Sequence, residues 1–114
     1  MNKNHTLTHP DMPDPAVLAR IADRLKREYR AERVIVYGSV ARGEATIHSD
    51  IDLLVVAPST EKGYQRMATV KAIVRDLSRG LPISPIVLTP EELKQRLADE
   101  DPFVQEIVES GVAL

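Results

Sequence analysis

The chain has 114 residues, enough for one domain with a single modest core. Its net charge of −2 offers no general attraction to nucleic-acid backbones, and with one Phe, three Tyr and no Trp it lacks stacking platforms for single strands. The absence of cysteine excludes disulfides and thiolate metal sites, and no apolar run approaches the roughly 20 residues of a membrane span, so a cytoplasmic protein is expected.

Residues 1–13 are polar, contain two prolines and show no periodicity, which predicts a mobile tail ahead of a domain over 14–114. His5 and His9 lie four apart there, but nothing fixes them in a metal-binding geometry. Asp14 reads as an N-cap with Pro15 in the first helical turn. Leu18, Ile21, Ala22, Leu25 and Tyr29 then follow helical spacing, opposite a charged face. Arg33–Tyr37 is rich in β-branched residues and predicts the first strand, and Ile51–Val56 the second. Between them, Val40-Ala41-Arg42 suits a single helical turn.

A long helix is expected from about Lys62 to Ser78, with Tyr64, Met67, Ala68, Lys71, Ile73, Val74 and Leu77 as its buried stripe. Lys71 is the odd member and reads as snorkelling to solvent. Gly80 stops the helix. Ile83–Leu88 predicts a third strand, and Pro85 within it argues for an edge position or a bulge. Thr89-Pro90-Glu91-Glu92 is a capping box with proline in the first turn. Asp101-Pro102 opens a last helix carrying Phe103, Val104, Ile107 and Val108, and Gly111 ends it. The expected fold class is α/β, a small mixed β-sheet flanked by helices.

Chemistry concentrates between the first two strands. Gly38-Ser39 follows the first, ten residues intervene, and Asp50-Ile51-Asp52 opens the second. Side chains alternate along a strand, so Asp50 and Asp52 share a face. Two such carboxylates repel unless a cation lies between them, and paired carboxylates with room for water and phosphate suit Mg²⁺. The Gly38-Ser39 bend can aim backbone N–H groups at an anion. Singly, each feature is more often a turn or a strand end; the ordered combination is specific. Arg42 is open between a phosphate contact, an exposed arginine and a structural counter-ion for the acids. His48 and Glu44 read as surface residues.

At these residues the chain resembles the polymerase-β-type nucleotidyltransferases, and the wording from Ala41 to Val56 resembles their minimal (MNT) branch. The resemblance implies a palm-like fold in which Gly38, Ser39 and Arg42 bind nucleotide. It further implies that Asp50 and Asp52 are catalytic and hold Mg²⁺, with two ions admitted and ATP as substrate. Such proteins act as antitoxins for small helical HEPN-type toxins. The family also carries a third acid on a neighbouring strand, and by wording that position is Ser84 here. A neutral serine is a poor metal ligand and needs an activator to serve as a base.

The main expectation is Mg²⁺-dependent transfer of AMP from ATP to a hydroxyl of a partner protein. The alternative is a degenerate fold that blocks its partner by contact, which Ser84 favours and the paired acids oppose. Transfer to a small molecule is disfavoured because so short a chain supplies few pocket walls, unless a homo-oligomer supplies them.

Overall fold

The computed structural model describes residues 12–114. The expected tail over residues 1–11, with His5 and His9, lies outside the described residues. Helix α1 spans Pro15–Glu28, and the Asp14 carboxylate accepts from the Ala16 N–H at 2.8 Å. Strand β1 (Arg33–Tyr37) leads into the one-turn helix α2 (Gly38–Ala41) and then strand β2 (Ile51–Val56). Helix α3 (Gly63–Ile73) carries the chain to strand β3 (Ile83–Leu88). Helices α4 (Pro90–Ala98) and α5 (Pro102–Ser110) follow, and strand β4 (Val112–Ala113) closes the order.

The four strands form one mixed sheet in the order β3-β2-β1-β4. β1 is antiparallel to β2 and β4, and β2 is parallel to β3, with α3 as the crossover that parallel pairing requires. β3 is an edge strand, which is where Pro85 can sit without breaking a ladder on both sides.

The sheet divides the core in two. On one face Val34, Val36, Leu53 and Val55 pack against Leu18, Ile21 and Leu25 of α1 and against Val70 and Val74. On the other, Ile35, Leu54, Val56 and Leu88 pack against Leu93 of α4 and Val104 and Ile107 of α5. β2 is buried on both faces except at Asp52, so it reads as a continuous apolar run.

Two features depart from the sequence reading. The buried stripe of α3 is rotated: Val70 and Val74 are fully buried, whereas Tyr64 is 70% exposed, Met67 is 40% exposed, and Ala68 and Lys71 face solvent. The inner side of its first turns is polar instead. Thr69 Oγ1 donates to Glu61 at 2.8 Å, and Arg66 reaches Glu92 on α4 at 2.6 Å. The helix also stops at Ile73, short of Ser78. Strand β4 is the second departure. It follows Gly111 directly, where an added Cβ would lie 2.5 Å from both the Ile107 carbonyl oxygen and Ile35 Cγ2. Glycine there lets the chain turn tightly off α5 and pair with β1.

Candidate active site

β1 ends at Tyr37, which lies opposite Asp52 in the antiparallel register. Asp52 in turn lies beside Ser84 in the parallel register. Tyr37, Asp52 and Ser84 therefore form one row across three strands. Alternation puts that row on the face that α4 and α5 cover, beyond the part they bury.

Gly38 follows with φ +74°, a left-handed conformation that favours glycine. A Cβ at Gly38 would lie 2.5 Å from Asp52 Oδ2. The bend is thus seated against the carboxylate, and only glycine permits the approach. Asp50 precedes β2 and is exposed. The loop before it is held by the Thr46 N–H donating to Ser49 Oγ at 2.8 Å and the Ser49 N–H donating to the Thr46 carbonyl at 2.9 Å.

The Asp52 carboxyl is held above the usual carboxylate range, chiefly by burial and then by the charge of Asp50, with Arg42 opposing. The Tyr37 phenol is pushed up to about 12, by burial first and by Asp52 second, so it stays protonated through the physiological range. Arg42 does not pair with either acid. Its Nε donates to Glu44 at 2.9 Å, and both side chains are largely exposed. No salt bridge among the described residues reaches Asp50 or Asp52. Nor do three acids or histidines come together there as a ready metal cluster.

Two cavities meet at Tyr37. One, of about 320 Å³, lies between α2 and α5 and is lined by Gly38, Arg42, Phe103 and Glu106 among others. The other, of about 480 Å³, runs along β3 past Ser84 and Ile86 to Arg66, Glu92 and Arg96.

The structure thus gathers Gly38, Ser39, Arg42, Asp50, Asp52 and Ser84 at one end of the sheet. His48 and Lys71 are exposed. Glu91 is exposed too, and Glu92 is engaged by Arg66 and by the Thr89 N–H, which hold its carboxyl below the usual range. Sequence reasoning missed Tyr37, Phe103 and Glu106 as lining residues. Tyr37 was visible only as the last strand residue before Gly38. Phe103 and Glu106 come from a helix that reaches the site only through tertiary packing.

A nucleotidyltransferase domain model matches residues 18–114, nearly the whole described chain. The chain belongs to the nucleotidyltransferase domain family. The domain is also 40% identical over 63 residues to a Methanocaldococcus jannaschii protein named "Putative protein adenylyltransferase". That alignment covers 53% of this chain and 43% of the relative, so the domain spans less than half the length of the curated relative it matches. Among the described residues no helix of the domain is long and apolar enough to cross a membrane.

Proposed function

We propose that the chain transfers an AMP moiety from Mg·ATP to a hydroxyl of a partner protein, with release of pyrophosphate. The observation that carries this reading is the seating of Gly38 against Asp52, which puts a phosphate-type bend and an unpaired acid pair at one place. The name of the Methanocaldococcus jannaschii relative supports protein as the acceptor class. The resemblance to the minimal branch extends the proposal to a HEPN-type toxin as partner, with this chain as its antitoxin.

The donor set fits Mg²⁺. Asp50 and Asp52 are hard oxygen ligands that leave positions open for water and phosphate, and the Asp52 carboxyl is held up by burial first and by the charge of Asp50 second. An ion held by Asp50 and Asp52 would neutralise charge on the α-phosphate. Ser39 and the N–H groups of the bend hold the β- and γ-phosphates, and Arg42, freed from Glu44, adds a cation beside them. The acceptor oxygen attacks the α-phosphorus in line as the bond to the bridging β-oxygen breaks. The acceptor proton leaves to solvent, because Ser84 is neutral and Glu92 is committed to Arg66. An acidic hydroxyl such as a tyrosine phenol suits that arrangement.

The second reading is a contact-only inhibitor of the same partner, favoured by Ser84 in register with Asp52 where a third carboxylate would stand. The deciding experiment incubates the protein with Mg²⁺ and ATP labelled at the α-phosphate in lysate of its own host, beside Asp52→Asn. A labelled macromolecule formed only by the native chain supports transfer. A partner retained without label replaces transfer with the contact-only reading.

A further inference from the structure

The cavity between α2 and α5 borders the phosphate site above at Gly38 and Arg42, and the rest of its lining is not used by that chemistry. Its α2 wall is Gly38, Ala41 and Arg42. Its α5 wall is Phe103, Glu106, Ile107 and Ser110, which at i, i+3, i+4 and i+7 occupy one helical face. We infer that this cavity is the nucleobase pocket and that it selects adenine, with Phe103 stacking on the base and Glu106 accepting its exocyclic amino group. The inference rests on the nucleotide-binding reading and deepens it.

Four observations carry it. The cavity opens directly onto Gly38 and Arg42, so a nucleotide whose phosphates sit at the bend has its remainder within reach. Its volume of about 320 Å³ falls in the range of small-ligand sites, roughly 300–1,000 Å³. Phe103 is 52% exposed although it begins an amphipathic helix, and it meets Tyr37 edge to face at 5.8 Å between centroids. In that geometry each ring keeps at least one face uncovered by the other, and an uncovered aromatic face stacks on a base.

The fourth observation is Glu106. Its Oε2 accepts from Ser110 Oγ at 2.8 Å, which anchors the carboxylate and leaves most of its acceptor sites open. An adenine amino group donates to a carboxylate. A guanine carbonyl oxygen in the same place would face it acceptor to acceptor.

The test titrates the full chain with ATP, GTP and inorganic tripolyphosphate by calorimetry in Mg²⁺, with Phe103→Ser, Phe103→Tyr and Glu106→Gln alongside. The native chain is expected to bind ATP more tightly than GTP and at least tenfold more tightly than tripolyphosphate. Phe103→Ser is expected to lose about tenfold in ATP affinity with tripolyphosphate unchanged, and Phe103→Tyr to retain ATP. Glu106→Gln is expected to narrow the preference for ATP over GTP.

Equal ATP affinity in Phe103→Ser and the native chain overturns the pocket, as does equal binding of ATP and tripolyphosphate to the native chain. An unchanged ATP preference in Glu106→Gln overturns its assignment. Binding of neither ATP nor tripolyphosphate overturns the nucleotide reading itself and the pocket with it, which separates the two failures.

Discussion

Glu92 and Asp52 are both partly buried carboxylates on the same side of the sheet, and their surroundings are opposite. Glu92 takes two hydrogen bonds from Arg66, at 2.6 and 3.2 Å, and one from the Thr89 N–H, and its carboxyl is held low. Asp52 lies between Tyr37 and Ser84 in the sheet, and its carboxyl is held high by burial first and by the charge of Asp50 second, while Arg42 is turned to Glu44. Among the described residues Glu92 has an arginine hydrogen-bonded to it, and Asp52 has no ion-pair partner. Glu92 fastens α3 to α4 across the end of β3. Among the described residues no salt bridge reaches Asp52, and an unpaired, partly buried carboxylate is the feature by which a candidate site differs from a structural ion pair.

The strongest test of that contrast is neutralisation of the unpaired acids. Asp52→Asn, or Asp50→Asn, is expected to lower transfer by at least ~10²-fold. The fold is expected to stay intact, because a like-charge repulsion is relieved. Native transfer by either variant would break the assignment. Ser84→Asp acts in the other direction by adding an acid beside Asp52 in register. Transfer is expected to rise about tenfold or more in the labelled-ATP assay. Unchanged or lower activity would show that Ser84 does not stand at the third-acid position.

Gly38→Ala tests the seating of the bend. The left-handed φ and the contact with Asp52 together are expected to cost about 1–3 kcal/mol in denaturant unfolding, and transfer should fall with it. Glu92→Gln tests the structural member. With Arg66 only 11% exposed but Glu92 43% exposed, solvent screening limits the expected loss to about 1 kcal/mol. Nucleotide affinity should be unchanged.

The smallest effect is in pH. A raised pKa means that the folded chain binds a proton at Asp52 more readily than the unfolded chain does. Its ionisation therefore opposes folding at neutral pH, and that opposition fades as pH falls through the raised pKa. Glu92 has a depressed pKa, so its stabilisation is present above the ordinary glutamate value and is lost as pH falls through the folded one. Thermal unfolding from pH 7 to pH 3 should show both differences from the native chain, Asp52→Asn above it and Glu92→Gln below it, shrinking toward acid. A difference that does not narrow as pH falls would remove its electrostatic cause.

Local chemistry explains what the sequence by itself determined. Asp14, Thr89 and Asp101 cap helices, each followed by proline, because short side-chain oxygens satisfy free N–H groups at a helix start. Strands β1, β2 and β3 carry β-branched runs bounded by turn residues, and their limits match the expected ones. Gly38, Asp50 and Asp52 were legible as candidates because their spacing along the chain is itself the signal.

Tertiary structure alone decided the rest. The inner side of the first turns of α3 is made by Arg66 and Thr69 rather than Tyr64 and Met67, because a long-range ion pair to Glu92 and a nearer hydrogen bond to Glu61 outweigh a weak apolar periodicity. β4 is two residues long and exists only as a partner for β1. The placing of Ser84 beside Asp52, and of Phe103 beside Tyr37, joins residues 32 and 66 positions apart in the chain. No local preference encodes such neighbours; they follow from strand register and helix packing, which the whole chain settles at once.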